Sequence, residues 1–254
     1  MAPIKDIAFF GATGGCAGAC LARCLEAGYN CTALVRTPEK LTTLLADHGV
    51  SPETISSNLT MITGNIKVPA DIAQTILPTT EILVSGIGSV PVWNKGALMP
   101  SIQDPTLCQV GMSTLLQVLR ARKSAVKPLL VVVSTTGISK FGRDYPLAVL
   151  PIYKWMLHTP HLDKKAMEDM VIEAVRTEEG KDAVIGEYAI LRPSLLTGGT
   201  VSGKVRAEVE DGKVASNAMG YSISRRDVGG YMFEEVIEKH SGPSGSGRII
   251  SVTY

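Results

Sequence analysis

The chain has 254 residues, a formal net charge of +1 at pH 7 and a hydrophobic fraction of 45%. This length allows one α/β domain with a substantial core, and a charge near zero gives no support to a polyanionic partner such as nucleic acid. No apolar run reaches the roughly 18 residues of a membrane span, and no signal peptide precedes the first strand. We expect a cytoplasmic protein that binds neither nucleic acid nor a membrane, of unknown oligomeric state.

The first predicted elements form one unit. An apolar run at 7–10 predicts a strand, a glycine-rich loop at 11–15 follows it, a helical pattern ends at Gly28, and a second apolar run occupies 31–35. Strand, glycine-rich turn, helix and strand within about 30 residues are typical of a dinucleotide-binding unit. A glycine turn that only serves packing is the alternative.

Two features of this unit indicate its ligand. Gly11 permits the tight turn, Gly14 lets the backbone approach a pyrophosphate, and N–H groups at the helix start face that anion. Arg36 ends the second strand, where an NAD-binding unit usually carries Asp or Glu, and an arginine there accommodates the 2′-phosphate of NADP. The third motif glycine is replaced by Ala17, which is tolerated at a close helix–strand contact.

Helices and strands continue to alternate along the chain. We predict further helices at about 38–47, 70–77, 104–122 and 162–177, and further strands at 59–63, 81–85, 129–134, 188–191 and 249–252. Apolar strands between helices predict an α/β fold, a doubly wound parallel Rossmann sheet in a single domain over 1–254. In a looser C-terminal region that contributes to substrate binding, turn residues predict a hairpin at 205–215, and 227–239 is amphipathic.

Substrate contacts are expected from two segments, 138–160 and 194–225. The first carries four of the thirteen aromatic residues, and it follows the carboxyl end of a strand, where doubly wound sheets bind ligands. It is interpreted as a substrate wall or lid, and a hydrophobic cluster beneath a loop is the alternative. The candidate substrate contacts are Trp93, Tyr145, Tyr153 and Trp155.

Cysteine and histidine are the residues in which we looked for metal or redox chemistry. Cys16, Cys20 and Cys24 recur at i, i+4 and i+8, so they share a helix face and are interpreted as small packing residues in a reducing compartment, with a redox cluster as the alternative. His158 and His161 lack a third strong ligand, and Pro160 is expected to disrupt a helix that would align them. We predict no metal.

An ordered set of motifs spans nearly the whole chain. It comprises GATGG and LVR in the first unit, Gly64-Asn65, DPTLC at 104–108, ILRPS at 190–194 and SISRRDV at 222–228. Together they resemble the atypical short-chain dehydrogenase/reductase superfamily, in its NmrA-like branch, and DPTLC is similar to fungal members from natural-product pathways. The resemblance implies an NADP(H) site formed by Gly11, Thr13, Gly14, Gly15, Arg36, Asn65, Ser85 and Gly86.

The catalytic residues are where the sequence departs from that family. Catalytic members carry Tyr-x-x-x-Lys; Lys164 matches the lysine, which implies a contact with the nicotinamide ribose, but Pro160 stands at the tyrosine position. His161, one residue away, could donate a proton, with a pKa near neutrality. Ser134 and Thr135 match the place of a substrate-polarising hydroxyl, although capping of backbone groups is an equal alternative.

Three functions follow from these observations. The first is an NADP(H)-dependent reductase acting on a small apolar or aromatic carbonyl or conjugated compound in fungal secondary metabolism. The second is a non-redox isomerase or cyclase that retains the cofactor, which the missing tyrosine favours. The third is an NADP-sensing regulatory protein, against which the aromatic segment argues because it indicates a small-molecule pocket.

Overall fold

The computed structural model describes residues 5–89, 91–92, 101–124, 127–151, 157–176, 183–213, 215–216, 218–242 and 244–254. Strands and helices alternate through these residues. In chain order they are β1 (Asp6–Phe10), α1 (Gly15–Glu26), β2 (Asn30–Val35), α2 (Pro38–Asp47), α3 (Pro52–Asn58), β3 (Leu59–Thr63), α4 (Pro69–Thr75), β4 (Ile82–Ser85), β5 (Pro91–Val92), β6 (Ser101–Ile102), α5 (Leu107–Arg122), β7 (Leu129–Val133), α6 (His158–Ala174), β8 (Glu187–Pro193), β9 (Leu195–Thr197), β10 (Arg206–Val209), β11 (Ser222–Ser224), α7 (Arg225–Tyr231) and β12 (Gly247–Thr253).

Eight strands form one sheet in the order β10-β12-β8-β7-β4-β1-β2-β3. Its neighbouring strands are parallel except at the β10–β12 edge. The chain runs outward from β1 through β2 to β3 and then returns to place β4 on the other side of β1. That reversal opens a crevice beyond the carboxyl ends of β1 and β4, which is where doubly wound sheets bind ligands. The predicted Rossmann fold is therefore confirmed.

Helices cover both faces of the sheet. On one face α1 and α7 pack together, and the thiols of Cys16, Cys20 and Cys24 are buried there among apolar side chains. On the other face, α4, α5 and α6 cover the opposite side chains of the same strands. Burial raises the pKa of the Cys16 thiol to about 12, and it also raises that of Cys24. The thiols of Cys16 and Cys24 are therefore protonated packing groups, which argues against a redox-active cluster.

Three sequence predictions need correction. The predicted hairpin at 205–215 is wrong, because β10 pairs antiparallel with β12, the last strand, and thereby completes the sheet edge. Helix α3 was not anticipated, since its seven residues are too few to show a period; Ser51 caps it by accepting from the N–H of Thr54. Pro160 does not disrupt a helix: α6 starts at His158 and holds the proline in its first turn, where a missing N–H costs nothing.

Among the residues described, no helix combines the length and the apolar character needed to cross a bilayer.

Candidate functional site: a dinucleotide cleft at the switch point

The glycine loop between β1 and α1 is held in a tight turn. Gly11 has φ +77°, and a Cβ on it would lie 2.9 Å from the carbonyl carbon of Gly86. The N–H of Gly14 donates to Gly11 O at 2.9 Å, and a Cβ on Gly14 would lie only 3.1 Å from that oxygen. Both positions therefore favour glycine, Gly11 by conformation and Gly14 by space.

The third glycine of the motif usually permits a close contact between the helix and the sheet. Here two residues, Ala17 and Gly86, form that contact. A Cβ on Gly86, at the end of β4, would lie 2.5 Å from the Cβ of Ala17 on α1. The N–H of Gly86 also donates to Phe10 O at 2.8 Å. Because Gly86 has no side chain, α1 approaches the sheet closely even though residue 17 is an alanine.

A cleft of about 470 Å³ opens above this contact. The loops that follow β1, β2, β3 and β4 form its walls. Its lining includes the predicted cofactor residues Gly11, Thr13, Gly14, Arg36, Asn65 and Gly86. Ser85 and Gly15 are not part of that lining: Ser85 is buried, and the side chain of Arg225 covers Gly15.

Arg36 and Lys67 bring positive charge to the β2–β3 side of the cleft. Arg36 is exposed and makes no hydrogen bond or ion pair with any residue that the structure describes. The Lys67 ammonium lies 2.6 Å from the Asp104 carboxylate across the cleft, and it holds the pKa of that carboxyl below its usual range. Asp104 was noted from the sequence only as part of the DPTLC motif, and its pairing with Lys67 was not predicted, since a surface Lys–Asp pair 37 residues apart leaves no local pattern.

Asn65 is one of the residues that the resemblance assigned to the NADP(H) site. Its side-chain oxygen accepts from the N–H of Lys67 at 3.0 Å, and its own N–H donates to Asp71 Oδ2 at 2.8 Å. The loop is thus fixed by its own hydrogen bonds. The two amide protons of the Asn65 side chain remain for a ligand.

Lys164 lies at the neighbouring end of the crevice, beyond β4 and β7. Its ammonium donates to Ile87 O at 2.7 Å and to Val133 O at 2.6 Å. An ammonium has three donors, so these two bonds leave one of them for a further acceptor. The preceding residue, Asp163, accepts from the N–H groups of Cys108 and Gln109 and so caps α5, which fixes the start of α6 against that helix.

The predicted hydroxyls at the end of β7 differ in their partners. Ser134 Oγ is buried and has no hydrogen-bond partner among the described residues, whereas Thr135 Oγ1 donates to Thr136 O at 3.1 Å. Thr136 itself is bonded to Pro193 O and so ties this loop to β8. Ser134 Oγ is therefore the hydroxyl of this pair that makes no bond to the described residues, and it lies one residue beyond the carbonyl that holds Lys164.

The expectation of a neutral-range titration for His161 is wrong. Burial, together with the charge of His158, lowers the pKa of His161 to about 4. A group with that pKa is protonated in only about one molecule in a thousand at pH 7. His161 and Lys164 share a face of α6, but His161 is the neutral imidazole there.

A buried network of ion pairs connects α6 to the sheet. Arg192, on β8, donates to Glu168 Oε2 at 2.6 Å and to Glu210 Oε1 at 3.0 Å, and all three side chains are at most 5% exposed. Burial alone would lower the pKa of Arg192, but the bonds and charges of the two glutamates outweigh it and raise that pKa. The network joins α6, β8 and the end of β10, and so determines where Lys164 lies.

The candidate substrate contacts are only partly within the described residues. Tyr145 is half-buried in the 138–160 segment, while Trp93, Tyr153 and Trp155 lie outside the described residues. The assignment of 138–160 and 194–225 to the substrate side stays a prediction. Among the residues that the structure describes, no group of three His, Cys, Asp or Glu side chains could hold a metal ion.

A dinucleotide fits this site. The backbone at Gly11 and Gly14 leaves no space for side chains, the first turn of α1 presents its N–H groups, and Arg36 offers a free cation at the end of β2. The fold and the site together define a Rossmann-type dinucleotide-binding protein.

Comparison with known proteins agrees with that class. Residues 11–239 match the family described as NAD(P)H-binding, and the chain belongs to this family. It is 40% identical over 263 residues to reductase pytE of Aspergillus terreus, and the alignment covers 98% of this chain and 97% of that protein. It is 33% identical over 273 residues to oxidase pynE of Aspergillus niger, over 93% of this chain and 94% of that protein.

The fold is also shared with solved structures. ChuY, an anaerobillin reductase of Escherichia coli O157:H7, superposes with a TM-score of 0.63 at 17% identity, over 97% of each chain. These matches confirm the resemblance to the atypical, NmrA-like dehydrogenases/reductases and identify an oxidoreductase fold for a nicotinamide cofactor.

Proposed function

We propose that this protein is an NADP(H)-dependent reductase that acts on a small, largely apolar or aromatic carbonyl or conjugated compound in fungal secondary metabolism. The proposal is supported by an Aspergillus relative that is named a reductase and is 40% identical. We also propose a cytoplasmic location, which is consistent with the five unpaired, buried thiols. The proposed partner is a small molecule, and the protein is proposed to bind neither nucleic acid nor a membrane.

The observation that carries NADP over NAD is the placement of Arg36. It ends β2 on the wall of the cleft, exposed and without an ion-pair partner among the described residues. A guanidinium matches a phosphate with paired hydrogen bonds, and the 2′-phosphate is the group that distinguishes the two cofactors. Lys67, on the same cleft, is already paired with the Asp104 carboxylate, so the preference is assigned to Arg36.

The residues beyond β4 and β7 would handle the substrate. The nicotinamide, when bound, supplies or accepts the hydride. Ser134 Oγ, buried and without a partner, would donate a hydrogen bond to the acceptor oxygen of the substrate. Lys164, whose ammonium is fixed by two carbonyls, would hold the ribose and keep a positive charge beside the reacting centre.

A non-redox isomerase or cyclase is the second candidate, and one observation favours it. The first turn of α6 carries Pro160 where catalytic relatives carry tyrosine, and the adjacent His161 is neutral. A pocket that only orients the substrate and moves protons does not need a hydride.

Calorimetric titration tests the cofactor part of the proposal. The wild type should bind NADP⁺ about tenfold to a hundredfold more tightly than NAD⁺, and Arg36→Ala should remove that preference. Lys40→Ala removes an equal charge from α2 outside the cleft and should keep it. Equal affinities in the wild type would refute NADP specificity.

The reaction type is tested with candidate carbonyl and conjugated substrates. Loss of reduced-nicotinamide absorbance in step with product formation supports the reductase. Product without cofactor consumption supports the isomerase or cyclase, and binding without turnover of any candidate supports the sensing function.

A further inference from the structure

Arg225 lies directly on the start of the glycine-loop helix. A Cβ on Gly15, the first residue of α1, would overlap Arg225 Cδ and lie 3.0 Å from Arg225 Cβ. The methylene groups of Arg225 therefore occupy the space that the missing side chain of Gly15 leaves. This contact places the side chain of Arg225 beside the turn whose N–H groups are expected to face the pyrophosphate.

The position of Arg225 is set by close packing of two helices. A Cβ on Gly229 would lie 2.5 Å from Ala19 Cβ and 2.7 Å from Cys16 O. Gly15 and Ala19 are one turn apart on α1, as Arg225 and Gly229 are on α7. The helices therefore run in the same direction with their first residues side by side, so Arg225 borders the glycine loop.

The cap of α7 fixes its first residue further. Ser224 Oγ accepts from the N–H of Asp227 and donates to Asp227 Oδ2. The same carboxylate accepts from Ser202 N and from the hydroxyl of Tyr254, so the start of α7 is anchored to the chain end. Burial would raise the pKa of Asp227, but these hydrogen bonds outweigh it and lower that pKa.

Arg225 is half-buried, and its guanidinium forms no hydrogen bond or ion pair with any of the residues the structure describes. Its neighbour Arg226, by contrast, donates to Asp47 O at 2.9 Å. The charges of Arg225 and Lys164 both favour a lower pKa of the Cys16 thiol, in the first turn of α1, against the larger effect of burial.

We propose that Arg225 binds the pyrophosphate of the nicotinamide dinucleotide over Gly15, together with the N–H groups of the first turn of α1. Arginine pairs with phosphate oxygens through two parallel N–H donors, and its half-buried methylenes hold it in place at low entropic cost. An anion at a helix N-terminus gains from the dipole as well. The pyrophosphate is common to NAD and NADP, so this role does not depend on which of them the protein prefers.

The test uses the full chain and the variant Arg225→Met, which retains most of the cover on Gly15 but no charge. Titration calorimetry measures the Kd of NADP⁺, NAD⁺ and adenosine 2′-monophosphate, which has no pyrophosphate. We expect Kd to rise about tenfold to a hundredfold for both dinucleotides, by the same factor. The Kd of adenosine 2′-monophosphate should change by less than about twofold.

Two variants serve as controls. Arg226→Met removes an adjacent charge that is already bound to Asp47 O and should leave all three affinities unchanged. Arg225→Lys keeps the charge without the paired donors and should weaken both dinucleotides by about threefold to tenfold. Circular dichroism without ligand establishes that each variant is folded.

If Arg225→Met binds both dinucleotides with wild-type affinity, the proposal is overturned. If Arg225→Met does not fold, wild-type dinucleotide affinity in Arg225→Lys overturns it instead. Unchanged dinucleotide affinity with a raised substrate KM would instead assign Arg225 to the substrate and also overturn it. This outcome is distinct from failure of the NADP assignment, in which Arg36→Ala leaves the ratio of NADP⁺ to NAD⁺ affinity unchanged.

Discussion

Lys164 Nζ lies 2.6 Å from the carbonyl oxygen of Val133, the residue that precedes Ser134. The same ammonium bonds Ile87 O at 2.7 Å, so one side chain connects α6 with the loops after β4 and β7. Lys164 therefore both shapes the crevice and places a positive charge in it.

Lys164→Met should weaken dinucleotide binding and lower kcat together, because the variant loses the proposed ribose contact and releases two loop carbonyls. A hydrogen bond to a charged group is worth about 1.5–3 kcal/mol, so we expect roughly a tenfold to hundredfold loss in affinity. Calorimetry and steady-state kinetics measure the two effects.

The neighbouring Lys165→Met is the matched control. Lys165 is exposed and pairs only loosely with Asp169, at 3.8 Å. Its replacement should change neither quantity. If Lys164→Met affects only folding stability, Lys164 is a structural residue and has no role in binding.

His161 predicts a pH dependence of stability. Its folded-state pKa of about 4 lies below the ordinary value of 6.5, so the unfolded chain binds a proton first as the pH falls. Stability is therefore lost between about pH 6.5 and pH 4. Between pH 7 and pH 5 the free energy of unfolding should therefore fall in both proteins, and by linkage the fall should be about 1–2 kcal/mol smaller in His161→Gln than in the wild type.

Urea unfolding at the two pH values measures this difference. Histidines elsewhere contribute equally to both proteins and cancel. Parallel pH profiles of the two proteins would mean that His161 is solvated and titrates normally. The rate of a folded His161→Gln variant should show no new dependence on pH near neutrality.

Gly14→Val should abolish dinucleotide binding while the secondary structure is retained. Even a Cβ at this position would lie 3.1 Å from Gly11 O and 3.4 Å from Gly86 O, and the branched side chain would extend toward the cleft. Calorimetry should detect no binding. Gly198→Val, at an exposed glycine with nothing within 4 Å of its Cβ position, should bind normally. A folded Gly14→Val variant with wild-type affinity would show that the loop does not bind the pyrophosphate.

Arg192→Met should destabilise the fold by about 3–5 kcal/mol, because it leaves the carboxylates of Glu168 and Glu210 buried without a cation. Adding Glu168→Gln to the variant should recover part of that loss. The exposed pair of Lys140 and Asp169 offers a control, and Lys140→Met should cost less than about 1 kcal/mol. Urea unfolding decides, and a loss in Arg192→Met no larger than in Lys140→Met would refute the role of the network.

The sequence indicated the cofactor half of the cleft well, because its determinants are local. Gly11, Gly14 and Arg36 lie within one strand–turn–helix–strand unit, and the positions of glycine and arginine in that unit follow from its backbone. The later strands were found from their apolar runs. The short helix α3 and the pairing of β10 with β12 were not, since neither has a local period or turn that reveals it.

By itself, then, the sequence determined the fold class, the glycine loop and the position of Arg36, all of which depend on residues close along the chain. Only the tertiary structure decided which groups converge from far apart. It brought Arg225 onto Gly15 through the packing of Gly229 on α1, and it held Lys164 with carbonyls 77 and 31 residues away. It also buried His161, and this lowered its pKa, because desolvation disfavours the charged form and depends on the surrounding packing rather than on neighbours in sequence.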